Sequence, residues 1–218
     1  MKKEMGRPKQ EGEADNRDKL LKAARKLFVR HGYTHTTTRI IAEEAGLTPA
    51  MIRYYFVDKR GLFEAVLQET IAPMLDALSA DVQHQPPKDL FSFISLYAQI
   101  MAPSPDLPRL IIRSLYDTHS AEHEMVSQVF SRFIDTAVGR LSQALTQQGV
   151  LRPEVDIKLA LISCVSLTVF PFLIPKLLTD KLGVTPDASF FAVLAQHNQQ
   201  LLSSGLVAAP KQGASDDA

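Results

Sequence analysis

Apolar side chains recur along this chain at steps of three and four, the spacing of one face of an α-helix. The first such stripe is Leu20, Leu21, Ala24, Leu27 and Phe28, with Lys19, Lys22, Lys26 and Arg30 on the other face. It predicts a helix over about 16–31, stopped by Gly32, which accepts the backbone that a helix end requires. A short second stripe, Ile40, Ile41, Ala42 and Ala45, follows a threonine run suited to N-capping and stops at Gly46. Thr48 and Pro49 then open a third helix over about 49–55, with the proline at a first position where a missing N–H costs nothing. Two capped helices this close leave no room for a strand or a long loop between them. The pattern is that of a helix-turn-helix.

The same periodicity continues to the C-terminus, and prolines mark its breaks. Helices are predicted over about 59–82 with a kink at Pro73, then 88–101, 106–116, 121–148, 154–178 and 186–204. The helix over 121–148 repeats Val126, Phe130, Phe133, Ala137, Leu141 and Leu145, and Gly149 stops it. No run alternates as a strand would. The expected fold is therefore all-α, with an N-terminal three-helix DNA-binding domain and a C-terminal helical domain. Its expected boundaries are a flexible basic arm at 1–15, the helix-turn-helix domain at 16–60, the second domain at 61–205 and a disordered tail at 206–218. Residues 159–175 carry no charge, but the run is short for a bilayer and holds Pro171 and Pro175. A helix buried on several sides explains it more simply, and no membrane partner is expected.

Charge sharpens this picture. The 218 residues carry equal numbers of Lys/Arg and Asp/Glu, 24 each, but residues 1–60 hold 14 basic against 8 acidic side chains. The remainder holds 10 against 16, so only the N-terminal end suits a polyanion. On the short third helix, Arg53 can bond guanine or phosphate in a bidentate manner, and Tyr54 and Tyr55 can bond phosphate or pack. Phe56 is expected to anchor the helix to its neighbours. Lys59 and Arg60 stand at the start of the next helix, beside a phosphate backbone or on a plain solvated face. Upstream, Gly6-Arg7-Pro8-Lys9 resembles the core of an AT-hook, in which Arg7 would enter a narrow minor groove. The alternative is a solubilising charged tail.

Other chemistry finds little footing. The single cysteine, Cys164, lies in an apolar run, which points to packing and a reducing, cytoplasmic setting, and the N-terminus has no secretory signal. His119 and His123 are four apart with Glu122 and Glu124 nearby, a spacing that one metal could use, but no third ligand is assured. There is no glycine-rich phosphate loop, nucleophile elbow or zinc-spaced cysteine pair, so neither catalysis nor a metal or cofactor is expected.

The strings LLKAARKLFVRHGYTHTTTRIIAEEAGL and YYFVDKRGLFEAVL resemble the N-terminal domain of TetR-family transcriptional regulators over residues 16–68. That resemblance implies that Thr38 and Arg39 lie near phosphates and that Thr48 to Tyr55, including Met51, Arg53, Tyr54 and Tyr55, form the recognition helix. It implies that Lys59 contacts the DNA backbone, and that Tyr33 sits near a phosphate unless it packs instead. Arg53 replaces a tyrosine common in the family, so base readout there differs. The resemblance also implies a cytoplasmic homodimer on a palindromic double-stranded operator, released by a small-molecule effector, and acting as a repressor. Dimer contacts are expected from the last two long helices, at Leu161, Val165, Phe191, Leu194 and Leu201. The middle helices offer an effector pocket at Phe93, Tyr97, Met101, Leu110, Arg113, Tyr116, Phe130 and Ile134. A helical adaptor that uses the same motif for protein contacts is the alternative function.

Overall fold

A computed structural model describes residues 9–79, 92–148 and 151–208. Among them the chain forms α1 (Lys9–His35), α2 (Thr38–Glu44), α3 (Pro49–Phe56), α4 (Lys59–Ser79), α5 (Ser92–Met101), α6 (Leu107–Tyr116), α7 (His123–Gln148), α8 (Ile157–Val169), α9 (Lys176–Leu182) and α10 (Ala188–Leu206). The described residues form no sheet; their one β-type pairing is an isolated antiparallel bridge between Leu151 and Val207. The all-α expectation holds.

The helices divide into two compact units. One holds the chain up to Pro73 together with Arg109–Phe133; the other holds Met74–Pro108 and the chain from Ile134 onward. This differs from a single boundary at residue 60, because hydrophobic burial joins α4 to the first helices as far as Pro73. In the first unit, Leu20, Leu21, Ala24 and Phe28 of α1 are buried with Ile41 and Ala42 of α2, Ile52 and Phe56 of α3, and Leu62, Phe63 and Leu67 of α4. Phe63 meets Phe28 edge-on at 4.9 Å and Tyr33 at 5.0 Å. Burial of a side chain of this size contributes about 1.5–3 kcal/mol, more than any single cap or surface ion pair here.

In the second unit α5, α8 and α10 pack together. Phe172 stacks on Phe191 at 4.1 Å and meets Tyr97 edge-on at 5.5 Å. Asn198 is buried on α10 and donates from Nδ2 to the Leu167 carbonyl of α8 at 2.8 Å, which satisfies a polar group that would otherwise be costly inside a core. Arg152 reaches the other end of α10, donating to the Ser204 and Val207 carbonyls at 2.6 and 3.1 Å.

Several expected boundaries move. The first helix begins at Lys9, inside the span expected as the arm. Gly32 does break it, at φ 76, within a segment that resumes helical geometry to His35. The helix expected over 154–178 is two helices separated by a 3-10 turn at Phe170–Phe172, because Pro171 and Pro175 remove backbone donors there. No single described helix is long and apolar enough to cross a membrane; α8 with its turn passes such a test only jointly with α9, across an 84° bend. At the C-terminus α10 runs through Leu206, and Val207 is held by Arg152 and Leu151, so the tail does not begin at 206. Gly149 lies outside the described residues, as does the start expected at 88 for α5.

Candidate nucleic-acid interface

The interface is assembled by caps and one tight turn. Thr37 is the N-cap of α2, and its hydroxyl accepts from the Ile40 N–H at 3.3 Å. At the far end Gly46, at φ 66, lets the Gly46 and Leu47 N–H groups reach back to the Glu43 and Ala42 carbonyls. This double closure turns the chain within three residues of the end of α2. Thr48 occupies the N-cap position of α3 but its side chain makes no capping bond; its carbonyl accepts from the Met51 N–H instead.

Between α3 and α4 the turn is tighter still. Val57 has φ 71 and ψ −54, and the Asp58 N–H donates back to the Phe56 carbonyl at 2.8 Å, a γ-turn of positive φ. Asp58 then caps α4, accepting from the Gly61 N–H at 2.8 Å. Gly61 lies so close to the turn that a Cβ on it would stand 2.1 Å from the Phe56 carbonyl oxygen. Glycine is required there by contact, not by φ.

These constraints leave Arg39, Thr48, Arg53 and Tyr54 exposed, with Thr38, Met51, Tyr55 and Lys59 half-buried among them. Arg39 and Arg53 make no ion pair among the described residues, whereas Lys26 is paired with Glu44, Arg60 with Glu64, and Arg17 with Glu69. Lys59 is oriented from below: its Nζ donates to the Tyr33 carbonyl at 3.1 Å and lies 4.1 Å from the centre of the Tyr33 ring. Burial holds the Lys59 ammonium below the usual lysine range, against the opposing pull of Glu122. Tyr33 packs, stacked near Phe28 and Phe63, and burial raises its phenol. Phe56 is buried, as expected. An open hollow of about 510 Å³ lies on this face, lined by Thr38, Pro49, Ala50, Ile52, Arg53, Val57, Asp58 and Lys59. Arg7 lies outside the described residues.

The other expected sites fare unevenly. Of the proposed pocket residues, Leu110, Arg113, Tyr116 and Phe130 belong to the first unit, and Phe93, Tyr97, Met101 and Ile134 to the second. Tyr97 and Met101 are buried, and Phe93 and Tyr97 approach to 6.4 Å. Arg113 is exposed, Tyr116 is 85% exposed and Ile134 is exposed as well, so none of the three is enclosed within its own unit. Among the expected dimer residues, Val165 and Leu201 are exposed, and Leu161 and Leu194 are half-buried. Phe191 is buried in its own chain against Phe172. Exposed apolar positions that periodicity alone did not select are Leu159, Ile162 and Val193. Cys164 is half-buried, and desolvation pushes its thiol up to about 11. His123 engages its Nδ1 with the Ser114 carbonyl at 2.9 Å, and no group of three or more potential metal ligands forms among the described residues.

Two short helices joined by a glycine turn, each with an exposed arginine, define the class of helix-turn-helix proteins. Residues 20–66 match the family model of the bacterial regulatory proteins, tetR family. Among curated relatives, the probable HTH-type transcriptional regulator YttP of Bacillus subtilis is 22% identical over 80% of this chain and 86% of its own. The probable acrEF/envCD operon repressor of Escherichia coli is 28% identical over 67% of this chain and 69% of its own. Among solved structures, the regulator FadR of Bacillus subtilis in complex with stearoyl-CoA superposes with a TM-score of 0.62 at 16% identity, covering 86% of this chain and 98% of that one. That likeness is one of fold.

Proposed function

We propose that the chain is a DNA-binding transcriptional regulator that represses from a near-palindromic operator and is released by a small, largely apolar molecule. The observation that carries this reading is that Arg39 and Arg53, on the two helices of the helix-turn-helix, are exposed and make no ion pair among the described residues, with Tyr54 exposed and Lys59 oriented by Tyr33. Phosphate contacts by the cations position such a face, and contacts to base edges specify it. Repression is the role named for the acrEF/envCD relative, and an acyl-CoA occupies the FadR neighbour. The reading assigns no catalytic role and sets the protein in the cytoplasm, where its operator would be.

Release by a ligand requires two recognition helices whose separation matters, hence a dimer. Exposed Leu159, Ile162 and Val165 on α8 and Val193 and Leu201 on α10 support a face covered by a second copy. The test is selection of binding sites from a random duplex pool, followed by titration at several salt concentrations. A selected inverted repeat, with affinity falling steeply with salt, is expected. Selection that enriches no sequence, with binding that does not depend on salt, would leave the helical adaptor as the better reading.

A further inference from the structure

Two large apolar side chains stand exposed on the helix-turn-helix face, Tyr54 and Val57. Tyr54 has a hydroxyl and a neighbour, its ring meeting Tyr55 edge-on at 4.8 Å. Val57 has neither: it is 79% exposed and is the one described non-glycine residue with positive φ. The turn itself demands that backbone, since Asp58 bonds back to Phe56 and Gly61 closes against the same carbonyl. What the turn does not demand is valine. Glycine would adopt φ 71 without a clash, and a β-branched side chain there is a steric outlier. Core packing does not explain the residue, and local propensity opposes it. Strain kept at an exposed position points to a contact made with something outside the chain.

The surroundings indicate what that is. Val57 borders the hollow that Arg53, Lys59, Thr38, Pro49 and Asp58 also line, and the Asp58 carboxylate there accepts from the Gly61 N–H. An exposed apolar side chain in the same hollow as cationic residues matches a phosphate joined to the carbon face of a sugar. We infer that Val57 is a DNA-contact residue, its isopropyl group packing against a deoxyribose of the operator backbone whose adjoining phosphate meets the remaining donors of the Lys59 ammonium. The inference rests on the DNA-binding reading and adds to it a non-ionic backbone contact. Such a contact stabilises the complex on any sequence and leaves its salt dependence alone.

The experiment compares V57A and V57G with the wild type, using an operator that the wild type itself selects from a random duplex pool. V57A keeps the positive φ and loses two methyl groups; V57G loses the strain as well. Both are expected to bind about tenfold more weakly at fixed salt, with an unchanged salt slope, from the apolar area no longer buried. V57G alone is expected to melt at a higher temperature than the wild type. V57A binding as tightly as the wild type would overturn the inference while leaving DNA binding intact, and V57G melting below the wild type would make Val57 a structural residue instead. A loss that disappears when one operator thymine is replaced by uracil would move the contact to a base methyl group and overturn the sugar assignment. A wild type that selects no duplex would fell the DNA-binding reading and this inference together.

Discussion

Arg53 stands exposed on α3 with no ion pair among the described residues, so its guanidinium needs no desolvated partner broken before it can bind. Arg53→Ala is expected to leave the melting temperature within about 1 °C and to weaken operator binding by about 1–3 kcal/mol, with relaxed preference at one position of each half-site. Gel-shift titration on operators varied at single positions measures both effects; unchanged affinity would remove Arg53 from the interface. Lys59 differs, because its Nζ already serves the Tyr33 carbonyl and ring. Cys164 permits a prediction in pH. Its folded thiol ionises near 11 against 9.0 for an unperturbed one, so between those values the unfolded chain has lost a proton that the folded chain keeps. Folding stability contributed by this group is therefore complete below pH 9 and falls as pH rises toward 11. Urea titrations of the wild type and Cys164→Ala at pH 8 and pH 10.5 should show the gap between them moving in the mutant's favour at the higher pH. An identical gap at both values would count against the burial that raises the thiol.

At the scale of elements, the turn from α3 to α4 is fixed by contact distances. Gly61→Ala would drive a methyl group into the Phe56 carbonyl oxygen, so the start of α4 must shift or α3 must shorten. A loss of about 1–3 kcal/mol is expected in denaturant titration, with operator binding weakened through the displaced Lys59. A G61A protein as stable as the wild type would mean that the turn yields cheaply. This turn also marks the edge of what the sequence makes legible. The stripe from Leu20 to Phe28, the threonine cap of α2 and the glycine at 46 each carry a local signal, and each forms the element it predicts. Val57 carries the opposite signal, since β-branched residues disfavour the conformation it adopts, and no reading of propensity could have placed it there. Phe191 marks a second limit. Helical periodicity says that Phe191, Leu194 and Leu201 share an apolar side, but it does not say whether Phe172 of the same chain or a second chain covers each of them.

For the whole molecule, the exposed apolar residues of α8 and α10 set the test of assembly. Ile162 is 62% exposed, so a glutamate there costs the folded protomer little, yet would be buried without a partner if a second copy covers it. Ile162→Glu is expected to sediment as a monomer with its helix content intact and to lose operator affinity by more than tenfold, through loss of paired half-site binding. A mutant that sediments like the wild type would place the shared face elsewhere. The bonds of Arg152 carry a further consequence. This residue precedes α8 in the chain, yet its side chain and its own N–H are spent on the carbonyls of Ser204, Leu206 and Val207 at the end of α10. Asn198 of α10 bonds α8 itself at Leu167, so α8 is joined to α10 through the segment that leads into it and again along its length. Two helices stitched at separate points cannot fray one at a time, so their amides should exchange with solvent through a common opening event, with similar free energies along both. A chain cut after Gly205 would lose the Leu206 and Val207 acceptors, and protection should then fall in the first turn of α8 as well as the last turn of α10, although no residue of α8 has been changed.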